Sequence, residues 1–367
     1  MLKRLVLLIG FLSFFTSYNA QHEVVSSKET KEAVATEGLS EQEQIKEENQ
    51  EYIKHHLLDS HSFNILKTKD GHHWGFPLPV IFYDEANGVH TMMSSDLHEG
   101  GHPKESKGAY YTLVHEKIVK TNEAGEIAYD KDGHVTNKVL DFSITKGVLM
   151  IIITALLMLW MFGSMARSYK KSSVPTGIAK YLEPVVLFVR DDIAIPNIGP
   201  KYKKYMSYLL TVFFFILFLN IFGLMPFGIN VTGNIAITVS LALVTFVITQ
   251  FSANGNYWKH IFWMPGVPVL MKIVMMPIEI LGVFIKPFAL LIRLFANMSA
   301  GHIVVMSLIA LIYYFQNIIA GVAFPFLTFV IYLLEVLVAF LQAYIFTMLT
   351  AVYFGMANEE HKHEEAH

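Results

Sequence analysis

Three charged side chains stand alone in a long apolar run, and their spacing is the first pointer to chemistry. Between Ile273 and Phe315 only Glu279, Lys286 and Arg293 carry a formal charge. A guanidinium does not lose its proton in a protein, and seating one near the centre of a bilayer costs about 3 kcal/mol even on lenient insertion scales. Arg293 is therefore expected to face a protein or water-filled interior and to be kept for its charge. At about 100° per helical residue, positions seven apart return to one face. Lys272, Glu279, Lys286 and Arg293 thus form a single polar stripe, with Asn297 one turn beyond and His302 on the opposite side. A second apolar segment, Ala323 to Tyr353, holds one acid, Glu335, and one amide, Gln342, again seven apart. Two helices with their polar stripes turned inward is the expected arrangement. An imidazole and a carboxylate at membrane depth are suited to proton relay. On residue types alone other roles stand beside it: Arg293 as a structural ion-pair partner of Glu335 or Glu279, and Asn297 and Gln342 as hydrogen-bonding links between helices.

The elements that must hold these residues are membrane helices. The 367-residue chain is 53% hydrophobic, carries a formal charge of -3 and has no cysteine, which excludes disulfides and thiolate metal sites. Nearly everything before Asp141 is polar and nearly everything after Gly147 is apolar. Gly147 to Ala166 supplies twenty uncharged residues, about 30 Å of helix, enough to cross the hydrocarbon core. Tyr205–Pro226 and Ile235–Phe251 are the next two spans. As helices, Lys272–Tyr314 and Ala323–Tyr353 would extend about 64 and about 46 Å, too long to stand upright, so steep tilt with kinks near Pro277 and Pro287 is expected. The fold class read from this pattern is an all-α polytopic membrane protein of five helices, the last two a long tilted hairpin, behind a small β-rich domain.

Charge gives the orientation. The loop from Arg167 to Lys204 carries eight Lys or Arg residues and the loop from Phe227 to Asn234 none, so the basic loop is placed in the cytoplasm. Within it, Ile178–Val189 is expected to lie amphipathically on the membrane surface, and Pro196 with Gly199-Pro200 to break the chain before the next span. Met1–Ala20 begins with Lys3 and Arg4, runs apolar from Leu5 to Phe15 and ends Thr-Ser-Tyr-Asn-Ala, a secretory signal pattern with cleavage expected after Ala20. Residues 21–141 would then form an exported, periplasmic domain, 142–358 a membrane domain in a bacterial inner membrane, and 359–367 a cytoplasmic tail.

Inside the exported region, Glu29–Gln50 is Glu-rich without a core stripe and is expected to be a solvated linker. β-like runs follow at Val80–Tyr83 and Tyr111–Val119, among turn signals at Asp70-Gly71, Asn87-Gly88 and Asp132-Gly133. Eleven of the 16 histidines fall here, among them His55, His56, His61, His72, His73, His98 and His102. No cysteine accompanies them, so surface or structural roles are expected ahead of a metal site or local proton buffering. No metal or cofactor is assigned, and no G-x-x-x-x-G-K-[ST] loop or nucleic-acid-binding pattern is present.

The stretch RLFANMSAGH at Arg293–His302, preceded by PIEILGVFIKPFALLI and followed by LLEVLVAFLQAYIFTMLTAVYF, closely resembles subunit a of the F-type ATP synthase. With GLMPFG at Gly223–Gly228, the resemblance runs from about Lys146 to Ala357. It implies a stationary proton-channel subunit, a translocase component with no enzymatic activity alone, whose slanted hairpin clasps a ring of c subunits. Peripheral-stalk b subunits, the rest of the ATP synthase complex and membrane lipid are the implied partners. Arg293 is implied as the gate that holds a ring carboxylate and blocks a direct leak. His302 and Glu335 are implied as the inlet relay, Glu279 with Lys286 as the outlet lining, and Asn297 and Gln342 as positioning groups. One departure stands out: the best-known bacterial version has an acid after Ala-Gly and a histidine seven residues before the glutamine, whereas here the two types are exchanged. That exchange leads one to expect His302 and Glu335 to meet across the hairpin. The alternatives are a secondary transporter with an intramembrane anion site, which calls for inverted repeats, and a membrane-anchored metal-binding or assembly module, which calls for one span and not five.

Overall fold

Alternating apolar residues and a positive-φ glycine build the N-terminal part. The computed structural model describes residues 59–67, 73–97, 103–114, 116–126, 139–171, 174–225, 229–263, 268–315 and 318–358. The signal-like start, the Glu-rich stretch, His55, His56, His72, His98, His102, the turn signals at residues 70–71 and 132–133, and the tail lie outside them. Strands β1 (Ser62–Lys67) and β2 (His73–Pro77) pair antiparallel. β3 (Pro79–Asp84), on the expected β-like run, pairs antiparallel with β4 (Gly88–Met93), and Gly88 of the expected turn signal stands at φ +79°. β5 (Lys104–Ser106), β6 (Ala109–Val114) and β7 (Lys117–Thr121) make a second antiparallel sheet, and β8 (Leu140–Asp141) returns to pair with β3. Val80 and Phe82 from one sheet meet Tyr111, Leu113 and Ile118 from the other in a shared core.

The single run expected at Tyr111–Val119 is two strands. The chain reverses between Val114 and Lys117, with Glu116 at φ +59°. Both strands bury consecutive residues, so no alternation marks the turn. Two histidines prove structural. His90 is 1% exposed, stacks on Phe82 at 4.9 Å and bonds through Nδ1 to Ser106 Oγ at 2.8 Å. His61, also buried, bridges Asp141 through Nε2 at 2.7 Å and Glu116 through Nδ1 at 3.4 Å.

This bridge makes a pH-dependent fastening. Burial by itself pulls the His61 imidazole down, but its bonds to Asp141 and Glu116 outweigh that and hold it at about 9. Burial pushes up the carboxyls of Asp141 and Glu116, yet their bonds to His61 win and keep both below their ordinary values of 3.8 and 4.5. The acids contribute stability above about pH 4.5, lost as pH falls through their lowered values; the raised His61 contributes fully below 6.5, and its share is lost as pH rises through 9. His61→Gln is therefore expected to destabilise the N-terminal domain by roughly 2–3 kcal/mol at pH 6, since it leaves two partly buried carboxylates without their cation. Thermal unfolding of the purified chain at pH 6 and pH 9.5 checks this: the gap between variant and parent should shrink at the higher pH.

The membrane part begins directly after β8. Its helices are α1 (Lys146–Lys171), α2 (Ile178–Phe188), α3 (Ile195–Ile198), α4 (Tyr202–Leu224), α5 (Ile235–Ser252), α6 (Gly255–Phe262), α7 (Val269–Phe315) and α8 (Ile318–Asn358). Among the described residues five stretches are long and apolar enough to cross a membrane: Lys146–Lys170, Ile178–Leu224, Ile235–Ser252, Val269–Ile312 and Gly321–Asn358. α7 and α8 have 47 and 41 residues, about 70 and about 60 Å at 1.5 Å per residue. α7 runs through Pro277 and Pro287.

α2 is more than a surface helix. It buries Ala179 and Leu182, packs on α1 and passes through a π-helical turn, Val189–Ala194, whose Val189, Ile193 and Ala194 are fully buried in the main core. The break expected at Pro196 and Gly199-Pro200 is present, with Gly199 at φ +71° ahead of a 3-10 turn. α4 lies at the centre: Leu209, Phe213 and Ile216 are fully buried, and the helix packs against α1 and α8. α6 was not expected; eight residues after Asn254 form an extra short helix against α7.

Candidate functional site

The hairpin of α7 and α8 carries the polar residues, and its register decides which of them meet. Phe315 stacks on Phe324 near the turn, Asn297 faces Gln342, and Lys286 lies over the Tyr353 ring at 5.7 Å. Residues climbing along α7 therefore meet residues descending along α8. Asn297 Nδ2 donates to Gln342 Oε1 at 3.1 Å, so the amide pair read from spacing forms a link across the hairpin.

Glu335 is buried, and its carboxyl lies over Gly301 so closely that a Cβ there would overlap it. Gly301 is thus the residue that leaves room for the acid. Among the described residues Glu335 Oε2 has no hydrogen-bond partner. His302 follows directly, half-buried, and interacts electrostatically with Lys146 at the start of α1. A polar seam closes around this level. Asn230 Nδ2 donates to the Met298 carbonyl at 2.9 Å, and Ser299 Oγ donates to the Gly233 carbonyl at 3.2 Å. Asn220, fully buried in α4, receives Thr232 Oγ1 at 2.8 Å and donates to the Ala339 carbonyl at 3.3 Å.

Arg293 departs from the expected inward stripe. It is exposed, and among the described residues it makes no ion pair and no hydrogen bond; Tyr353 is near enough for an electrostatic interaction. Spacing placed it on one side of α7, but α8 reaches Asn297 through Gln342 and Lys286 through Tyr353 and leaves the guanidinium without such a contact. The ion pairs with Glu335 or Glu279 open to it on residue types are not formed. Around it the hairpin leaves large apolar side chains exposed, including Phe288 and Ile292 on α7 and Leu333, Leu337 and Leu341 on α8.

Toward the other end, Glu279 and Lys286 interact electrostatically and line a cavity of about 260 Å³ with Asn256, Tyr257 and His260. Lys286 Nζ also lies 3.9 Å from Met356 Sδ. His260 and its helix α6 were missed from sequence. The usable signal was the cluster Tyr257-Trp258-Lys259-His260, and Lys272 placed over the Trp263 ring at 4.5 Å belongs to the same rim.

An overlength hairpin in a five-span bundle, with a bare arginine outside and a buried acid and amide behind it, defines a polytopic membrane protein built around intramembrane charge. A family model described as ATP synthase A chain matches residues 148–355. The chain belongs to that family, subunit a of the F-type ATP synthase, and so to the membrane sector of that complex. It is 48% identical over 237 residues to "ATP synthase subunit a 2" of Chlorobaculum tepidum, covering 62% of this chain and 66% of that protein, just under two thirds of its length. It is 42% identical over 302 residues to "ATP synthase subunit a" of Chlorobium phaeobacteroides strain BS1, covering 78% of this chain and 86% of that protein. It is 49% identical over 238 residues to the like-named protein of Chloroherpeton thalassium, covering 62% and 70%. The 302-residue match is longer than the helical region, so that likeness reaches into the N-terminal domain. Residues 52–142 match a second model, described as Domain of unknown function (DUF8433).

Proposed function

We propose that this chain is the stationary half of a proton turbine, in which the α7–α8 hairpin clasps a ring of c subunits and two offset half-channels meet at Arg293. The carrying observation is the bare, exposed guanidinium on a hairpin face rich in exposed apolar side chains. A permanent cation with no ion-pair or hydrogen-bond partner among the described residues fits a carboxylate brought by another chain. Protons from the exported side reach the ring through His302 and Glu335, inside the seam of Asn220, Asn230 and Ser299. They leave through the cavity of Glu279, Lys286 and His260. Asn297, held by Gln342, positions the α7 turn beside Arg293. Arg293 holds the deprotonated ring carboxylate and blocks a direct passage between the half-channels. Each elementary charge crossing 100 mV releases about 2.3 kcal/mol, and successive steps turn the rotor that drives ATP synthesis elsewhere in the complex.

In this reading residues 1–20 are a signal, 21–141 an exported domain on the periplasmic side of a bacterial inner membrane, 142–358 the membrane domain and 359–367 a cytoplasmic tail. The basic loop containing α2 faces the cytoplasm, where peripheral-stalk b subunits dock. The hairpin assignment is tested by cross-linking. Ile292→Cys and Leu337→Cys are expected to form disulfides with cysteines on the outer helix of a c subunit, and the buried Phe346→Cys none. Absence of cross-links from both exposed positions in assembled complex would remove the ring from this face.

A further inference from the structure

The N-terminal domain is fastened to the start of α1 at three consecutive residues. Asp59 accepts Thr145 Oγ1 at 2.8 Å and the Gly147 N–H at 2.9 Å, one on each carboxyl oxygen, and the Ser60 carbonyl accepts the Lys146 N–H at 3.0 Å. An acid at a helix N-terminus satisfies backbone N–H groups that have no partner within the helix and meets the positive end of the helix dipole. Here the acid comes from another domain, so the cap is also a clamp. It is tight enough that a Cβ on Gly147 would come within 3.1 Å of both carboxyl oxygens. Lys146 lies between the clamped residues, and its ammonium interacts electrostatically with Asp59 and Glu116. Behind Glu116 stands the His61 bridge to Asp141.

α1 is tied to the hairpin as well. The 3-10 turn Val231–Gly233 packs against both α1 and α7, and the bonds of Asn230 and Ser299 fix that turn to α7 at Met298 and Ser299, about one helical turn before His302. Lys146 thereby acts on His302 from α1, while Glu335 faces the same level of α7 from α8. The charged groups gathered here are Lys146 and His302 together with Asp59, Glu116 and Glu335.

We propose that Lys146, clamped by the N-terminal domain, is a positioning residue of the inlet path that sets the electrostatic surroundings in which His302 exchanges its proton. The proposal rests on the inlet reading above and gives the N-terminal domain a part in ion entry: Asp59 fixes the backbone that carries the ammonium, and Glu116 balances its charge. A charge within electrostatic reach of a titrating group moves its proton affinity, so the sign and place of this one ammonium bear directly on when the relay is loaded.

The test uses assembled complex in vesicles, with proton-driven ATP synthesis measured at constant total driving force while the pH on the inlet side is varied. Lys146→Gln is expected to displace the midpoint of the pH profile by about half a unit or more, and Lys146→Arg, which keeps the charge, to leave it in place. In a His302→Gln background the displacement should vanish. Should Lys146→Gln fail to assemble, Glu116→Gln removes the balancing charge without touching the clamp and should displace the profile in the opposite direction. Coinciding profiles for Lys146→Gln and parent, or an equal displacement with and without His302, would overturn the proposal. If His302→Gln alone left both rate and profile unchanged, the inlet reading itself would fall.

Discussion

Arg293→Ala is expected to lower ATP-driven proton pumping by at least ~100-fold while the amount of assembled complex stays normal, the scale of loss seen when one preorganised electrostatic contact is removed. The structural side of this expectation follows from exposure. Removing one member of a buried ion pair leaves an uncompensated charge and costs about 3–5 kcal/mol, enough to reduce assembly. Arg293 has no such partner among the described residues and is exposed in its own chain, so its loss strands no acid. The functional side follows from the same bareness. In the proposed mechanism a ring carboxylate facing a methyl group in place of the guanidinium would meet no cation, and the barrier between the half-channels would go with it, so passive proton leak should rise as pumping falls. Arg293→Lys is expected to restore little, because an ammonium lacks the planar fork that meets a carboxylate at two points. Vesicle pumping with immunoblots of the assembled complex reads both quantities at once. Normal pumping in the alanine variant would reduce Arg293 to a surface cation and remove the centre of the proposed mechanism.

What could be read in advance, and what could not, divides along the range of the forces involved. Hydropathy and helical spacing are local, and they located the membrane helices and singled out Asn297 and Gln342 as amides able to link helices, which the hairpin joins. Spacing names a face of a helix but not its neighbour. The inward stripe therefore failed at Arg293, which α8 leaves uncovered, and held at Gln342, which is buried. The eight residues of α6 make barely two turns, too few for periodicity to separate helix from loop, and His260 was lost with them. The His61 bridge joins positions 61, 116 and 141, brought together only by strand pairing. Gly301 is the sharpest case: inside a helix a glycine reads as a loss of about 1 kcal/mol against alanine, and only the packed hairpin shows the carboxyl that occupies the missing Cβ's place.

That conflict makes Gly301→Ala the second decisive variant. Helix propensity alone would have it stabilise α7 by about 1 kcal/mol. Tertiary contact has it overlap the Glu335 carboxyl, and the side that yields is the acid, because the end of a flexible side chain moves more easily than two packed helices. Assembly should therefore be normal or slightly improved, while the carboxyl is driven from its place over Gly301. If Glu335 takes part in the inlet relay, a displacement of even 1 Å in a positioned group costs on the order of 100-fold, and pumping should fall accordingly. Gly301→Val, bulkier still, should abolish it. The discriminating variant is Glu335→Asp combined with Gly301→Ala: the acid is shorter by one methylene, clears the new methyl group and should recover part of the lost rate, although Glu335→Asp alone lowers it. Recovery in the double variant would show that the two positions share one small space and that the acid must occupy it. Full activity of Gly301→Ala by itself would mean that the place of this carboxyl is immaterial, and the inlet would have to run through His302 without it.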